Sequence, residues 1–506
     1  MEQLNITTLK KGGFPQDLEI GLHNFNEQPQ QSQQIRQNRK EKILQFGEGN
    51  FLRSFVDYFI DILNEKNLFD GNIVVVQPID KGLTDLLNQQ DGLYTVLLRG
   101  LENQTKTVQK RLITSITSGI NPYSDFVNYK KLAQNPDLRF VISNTTEAGI
   151  TFVETDKITD TPPSSFPAKI TALLHERYTH FGGDVSKGFI FIPCELIDNS
   201  GDKLKEIVQM YAKKWQLSAD FLDWLEKACY FANTLVDRIV TGYPKDEISE
   251  ISQNLGYSDN LLSTAEIFHF FAIEAKGWAA AEINKILPFA KANINAIVTE
   301  NVTPYKLRKV RILNGAHTMS VLAAFLCGKK TVKEMMDDPL FAKYLETGIF
   351  TEIIPSLDMD ENELKSFAKS VADRFSNPYI KHYLTSIALN SVAKYKARVL
   401  PSILEYQKRK GSLPPVLTAS FAALLAFYKG ENHEVPDDAE IVSFFAEQWA
   451  KGDISALVTA VCARADYWGQ DLNKLPSFTE KITTLLQLFE TSGMKAVIEE
   501  TLKNQQ

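Results

Sequence analysis

Cysteine is scarce in this chain. The 506 residues include four, Cys194, Cys229, Cys327 and Cys462. They lie far apart, with no C-x-x-C pair and no histidine at short range, which argues against a disulfide framework or a zinc site and for free thiols in a reducing compartment. The seven histidines show no H-x-x-x-H spacing, so no metal is expected. Long hydrophobic runs are missing too: no stretch reaches the roughly twenty apolar residues that span a bilayer. Met1-Glu-Gln-Leu-Asn5 lacks the charged-then-apolar pattern of a secretory signal, so the expected location is the cytoplasm. Nor is there an excess of positive charge. Fifty-five Lys and Arg against 62 Asp and Glu give a formal net charge of −7, with no electrostatic reason to expect nucleic acid or an anionic membrane as partner. The expected partner is a small molecule, and an anionic one would need a local basic pocket. Oligomeric state is not readable.

What is present is an ordinary globular composition, 44% hydrophobic and 23% charged, on a chain too long for one core. Residues 1–40, with Gln28-Pro-Gln-Gln-Ser-Gln-Gln34, form a polar arm that cannot fold alone and is expected to lie on the first domain. From 41 to 267 apolar strand-like runs alternate with helical patterns: Lys42–Phe46, Asn72–Val76, Tyr94–Leu98, Phe140–Ser143 and Gly188–Ile192, with helices over 168–181, 204–215 and 218–229. This indicates an α/β, Rossmann-like domain with a mostly parallel sheet. Residues 268–506, opening on Phe268-His-Phe-Phe-Ala-Ile273, read as a mainly α-helical second domain, including one helix over 380–400.

Two stretches carry chemistry. In the first, a strand ending at Phe46 runs into Gly47-Glu48-Gly49-Asn50-Phe51-Leu52-Arg53 and then a helical pattern. That context suits a pyrophosphate at a helix N-terminus, with Gly47 making the tight turn and Gly49 admitting the phosphates; the third glycine of G-x-G-x-x-G is replaced by Leu52, and G-x-G also occurs in plain turns. Gln77, at the end of the second strand, stands where an acidic residue usually holds a ribose hydroxyl. No arginine favours a 2′-phosphate there, so the expected cofactor is NAD. The loop Asn144-Thr-Thr146-Glu147-Ala-Gly149 leaves the carboxyl end of its strand, as either a ligand loop or an ordinary polar turn.

The second stretch is Lys309-Val-Arg-Ile-Leu-Asn314-Gly-Ala-His317, opening an apolar helix. At roughly 100° per residue, Lys309, His317 and Asn314 share one face, either as satisfied core polar groups or as a site. Lys394-Tyr-Lys396-Ala-Arg398 concentrates positive charge, readable as a solvated face or as a clamp for a carboxylate or phosphate. Asp237 beside Arg238 reads most simply as a structural ion pair.

F-G-E-G-N-F-L-R at 46–53, V-D-R-I at 236–239 and K-x-x-x-x-N-x-x-H at 309–317 resemble the mannitol dehydrogenase family of long-chain, metal-independent polyol and sugar-acid dehydrogenases, over about 42–500. The resemblance implies a Rossmann-like domain, a helical domain and a substrate cleft between them. It implies Lys309 as general acid/base, Asn314 and His317 holding the reacting oxygen, and Asp237 linked to proton relay. Asn233 is grouped with Asp237 as a substrate-binding or relay candidate, and Arg374, Lys394, Lys396 and Arg398 are candidates for a substrate carboxylate. The chain departs from the polyol enzymes in two places: Cys194-Glu195-Leu196 stands for their C-D-N, and Lys306 for a glutamate. Both departures favour a sugar acid over a polyol such as mannitol.

Overall fold

The computed structural model describes residues 1–22, 25, 28–146 and 148–503. The chain divides into two units, Met1–Arg99 with Lys106–Val302, and Gly100–Thr105 with Thr303–Gln506.

In the first unit six strands form one sheet: Glu41–Phe46, Asn72–Val76, Ile116–Ile120, Phe140–Ser143, Ile190–Pro193 and Tyr230–Phe231. Counted along the chain, their order in the sheet is 3-2-1-4-5-6, and every neighbouring pair is parallel. This is the doubly wound dinucleotide-binding arrangement, whose direction of winding reverses between the first and fourth strands. Alternation along the strands sends Ile43, Ile73 and Val75 into one core and Leu44, Val74 and Val76 into another. The runs 73–76, 140–142 and 190–192 are apolar because helices cover both faces.

Several sequence expectations are corrected. Tyr94–Glu102 is not in the parallel sheet; it joins a second, five-stranded sheet with Leu18–Ile20, Thr105–Ile113, Ser263–Ala265 and Val240–Gly242. The third parallel strand is Ile116–Ile120, Ile-Thr-Ser-Gly-Ile, which lacks the apolar run that betrays its neighbours. Phe268–Ile273 does not open a helix. Phe270–Glu274 is a strand, antiparallel to Asn233–Asp237 and parallel to Ala296–Thr299, so the division of the chain falls after Val302 rather than at 268. Residues 1–40 are more than an arm: Leu4, Leu9, Leu18, Leu22 and Phe25 share a core with Tyr257 and Leu262. The Arg36 guanidinium donates to the carbonyls of Asp91, Ile116 and Thr114 at 2.6, 2.7 and 2.8 Å.

The second unit is helical. Its central helix, Pro415–Phe427, is buried along almost its whole length. The Glu352 carboxylate accepts from the Val416 and Leu417 N–H groups at 2.8 Å each, placing negative charge where the helix dipole favours it. The single helix expected over 380–400 is broken into Leu384–Ala388 and Ser391–Arg398, because Asn390 takes a left-handed conformation, φ 53°, that ends one helix and starts the next. Among the described residues no helix is long and apolar enough to cross a membrane.

Candidate active site

The first unit offers a cleft of about 480 Å³ at the point where the winding reverses, lined by the turn Gly47–Gly49, by Pro78 and Ile79, by the loop after the fourth strand and by Ser164–Phe166. Gly47 has φ 113°, and a Cβ there would stand 2.8 Å from the Asn144 carbonyl oxygen; only glycine joins the first strand to the fourth so closely. A Cβ on Gly49 would meet no atom within 4 Å. That open backbone is the fit a pyrophosphate requires, and the residues present match a dinucleotide. Gly47→Ala is expected to lower stability by about 1–3 kcal/mol, measured by chemical denaturation; an unchanged midpoint would show that the turn tolerates a side chain.

The remaining residues of the motif serve the turn from below. Phe46 is fully buried and packs on Phe166. Phe51 stacks on Phe55 at 4.9 Å, and Leu52 is core. Arg53, 3% exposed, donates to the Glu48 carbonyl, the Leu261 carbonyl and Asn50 Oδ1, so its charge braces the loop and is turned away from a ligand. The helical pattern that follows Arg53 in the sequence is the helix Val56–Glu65, and a four-residue helical turn, Asn50–Arg53, precedes it. Glu48 accepts from the Leu83 N–H at 3.1 Å, and burial pushes its carboxyl above the usual range.

Gln77 is engaged within its own loop. Its Nε2 donates to the Ile79 and Asp80 carbonyls, and its Oε1 accepts from the Thr84 N–H and Oγ1. All four positions of the amide are filled, so Gln77 shapes the loop that carries Pro78 and Ile79 rather than waiting for a ribose. Thr146 lines the cleft; Glu147 lies outside the described residues. Glu195, 3% exposed, accepts from Ser143 Oγ, Thr145 N–H and Thr145 Oγ1 at 3.0–3.1 Å, fastening the loop after the fourth strand to the one after the fifth. Its neighbour Leu196 is 70% exposed.

Asn233 and Asp237 occupy the two ends of one strand in the first unit. Asn233 Oδ1 accepts from the Gly201 and Asp202 N–H groups, and its Nδ2 donates to the Asp202 carboxylate. It caps the helix Ser200–Lys214. Asn233→Ala should therefore cost about 1 kcal/mol of stability and leave turnover near the wild-type level, with denaturation and steady-state rates compared side by side. Asp237 is buried, 5% exposed. The guanidinium of Arg238 donates to the backbone carbonyls of Ser54, Ile267 and Phe268 at 2.6–3.2 Å. It anchors three segments of chain, a role the adjacent pair of charges in the sequence did not suggest.

In the second unit, Lys309–Asn314 is a π-helix leading directly into the α-helix Gly315–Leu326, with the Gly315 N–H bonded to the Val310 carbonyl five residues back. An α-helix would set Lys309 and Asn314 roughly 140° apart. In a π-helix residues five apart lie one above the other, and such bulges recur at functional sites. Asn314 and His317, three apart on regular helix, share a face. The wide turn thus draws Lys309, Asn314 and His317 into one stripe.

Around His317 the second unit assembles aromatic and cationic groups. Its ring stacks on Phe375, centroids 4.0 Å apart and planes 13° apart, and meets His382 edge-on at 5.1 Å. Burial holds its pKa well below 6.5, reinforced by His382, Arg374, Arg398 and Lys394. A neutral imidazole results, whose buried Nε2 has no partner among the described residues. Of the cations singled out in the sequence, Arg374, Lys394 and Arg398 are near enough for their charge to act on this ring. Lys396 is not among them: it is exposed, and its Nζ donates to the Asp466 carbonyl at 3.2 Å. The sequence reading missed His382 and Phe375. The one local sign was Arg374-Phe375 closing a helix just before Asn377-Pro378. No group of three or more His, Cys, Asp or Glu is placed to hold a metal among the described residues.

A sheet of this order with a glycine turn at its switch point, joined in one chain to a helical unit bearing a lysine, an amide and a neutral imidazole in line, is the outline of a dehydrogenase. Residues 41–285 match the model of the mannitol dehydrogenase Rossmann domain and residues 301–489 that of the mannitol dehydrogenase C-terminal domain. The chain belongs to the mannitol dehydrogenase family and is an oxidoreductase. Among its relatives are proteins named altronate oxidoreductase, from Yersinia enterocolitica at 47% identity and Klebsiella pneumoniae at 48%, each alignment spanning 90% of this chain and 96% of the relative. Two solved structures share the fold. One is a D-sorbitol dehydrogenase in substrate-free form, with TM-score 0.79 and 20% identity over 98% of this chain and all of that one. The other is Pseudomonas fluorescens mannitol 2-dehydrogenase in ternary complex with NAD and D-mannitol, with TM-score 0.66 and 21% identity over 99% of each chain.

Proposed function

We propose that the protein interconverts D-tagaturonate and D-altronate with NAD(H), in the breakdown of hexuronates. The observation that carries this reading is the polar stripe of the second unit: Lys309, then Asn314 and His317 with open hydrogen-bonding groups, in a setting of half-buried positive charge. The relatives named altronate oxidoreductase support it, as does the cleft with its open Gly49 backbone.

The cleft at Gly47 and Gly49 would hold NADH, which would supply a hydride for the substrate carbonyl carbon. Lys309 gives a proton to the carbonyl oxygen as that oxygen gains negative charge, and in the reverse direction it takes the proton from the alcohol. The Asn314 carboxamide donates a hydrogen bond to the same oxygen. His317 is neutral and carries one N–H, which donates alongside it. Both bonds strengthen as charge develops, so they stabilise the transition state more than the ground state. The ring holds its position because Phe375 stacks on one face.

The test is to follow NADH consumption with tagaturonate, fructuronate and fructose in parallel. Tagaturonate should be the best substrate. Preference for fructuronate would move the protein to the sister uronate reaction, preference for fructose to the polyol reaction, and NADH binding without turnover of any of the three would leave a nucleotide-binding protein.

A further inference from the structure

The second unit holds more positive charge beside the polar stripe than proton transfer and oxygen binding require. Arg398 is half-buried, and burial lowers its pKa. Its Nη1 lies 3.5 Å from Thr318 Oγ1, at the outer limit of a hydrogen bond, and it forms no ion pair among the described residues. Lys394 lies one helical turn earlier on the same face. Its Nζ donates to the Ile387 carbonyl at 2.9 Å, which leaves two of its three donors. The end of their helix is packed directly on the turn that carries Asn314 and His317: a Cβ on Gly315 would come within 3.2 Å of the Arg398 carbonyl oxygen. Both cations are thereby held at a fixed spacing from the groups that bind the reacting oxygen.

A partly desolvated guanidinium without a counter-charge is costly, Lys394 beside it feels Asp437 but forms no ion pair with it, and the hydroxyls of a neutral polyol offset that cost poorly. A carboxylate offsets it well, since its two oxygens match the guanidinium fork and accept a third hydrogen bond from an ammonium. We propose that Arg398 and Lys394 bind the substrate carboxylate, Arg398 in a two-pronged contact and Lys394 from the side, and that this pair selects acids over polyols. The assignment rests on the reading of the protein as a sugar-acid reductase. Lys396, two residues from each on the opposite face, takes no part.

The experiment compares Arg398→Gln, Lys394→Gln, the double variant and Lys396→Gln, using altronate oxidation with NAD and titration of altronate into NADH-loaded protein, a complex that binds without turning over. Each single change should raise KM and the dissociation constant for altronate about tenfold or more, and the double change further, with kcat altered far less. Lys396→Gln should match wild type. Arg398→Lys, which keeps charge but loses the fork, should fall between wild type and Arg398→Gln. A wild-type circular dichroism spectrum and denaturation midpoint confirm that each variant, its helical second unit included, is folded, and should a glutamine variant fail there, Arg398→Lys still decides. Unchanged altronate affinity in the double variant, or an equal loss in Lys396→Gln, overturns the assignment. If wild type itself neither oxidises nor binds altronate, the underlying functional reading fails instead, and the two failures are distinct.

Discussion

Lys309→Ala is expected to abolish turnover, with a loss of at least the 10²–10⁴ typical of a removed general acid/base, while NADH affinity stays at the wild-type level. The two readouts separate because the residues that fit a dinucleotide lie in the first unit and Lys309 in the second. Substrate affinity should change little in comparison, since the proton is needed only as the carbonyl oxygen acquires charge. Lys309→Arg should be nearly as inactive, because a guanidinium does not release its proton near neutral pH. Small primary amines added to the alanine variant should restore part of the rate. A Lys309→Ala enzyme with near-normal turnover across the pH range would remove Lys309 from the chemistry.

The parts of the molecule that could be read from sequence are those where one physical demand dominates. Asn72-Ile-Val-Val-Val76 announced a strand because a parallel strand is buried on both faces. The same logic failed at Ile116-Thr-Ser-Gly-Ile120, an outer strand whose alternation is too short and polar to stand out, and at Phe270–Glu274, where an aromatic run suits a buried helix or a buried strand equally. The site divides in the same way. The motif at 46–53 located the turn, but which of its residues face the cleft depends on contacts distant in sequence. Arg53 is turned down toward Leu261, and Gln77 is engaged by a threonine seven residues on. The lysine motif located the polar stripe on the assumption of a regular helix. The π-turn that aligns it is a departure from the period the sequence implied, and no spacing rule foretold it. Between Lys394 and Arg398 on one side and Lys396 on the other, helical periodicity alone was sufficient to distinguish the faces, but not to say which face met His317.

Removal of either donor proposed for the reacting oxygen should lower kcat about 10²–10³-fold, as in Asn314→Ala and His317→Leu, and if both act on one oxygen the double variant should be less impaired than the product of the two. His317 carries a second, independent signature. Burial, then His382, Arg374, Arg398 and Lys394, hold its folded pKa well below the ordinary value, whereas in the unfolded chain it titrates near about 6.5. As pH falls through about 6.5 the unfolded chain gains a proton that the folded protein refuses, so the contribution of His317 to stability is present above that pH and is lost below it. Wild-type stability should therefore drop more steeply than that of His317→Leu between about pH 7.5 and pH 5, in matched denaturant titrations. An equal slope would mean that the folded protein takes up the proton as readily as the unfolded chain, and a steeper slope in the variant that the folded protein holds His317 as a cation. In that case the ring would meet the substrate oxygen as a charge rather than as the neutral donor its stacking on Phe375 and its unpartnered Nε2 imply.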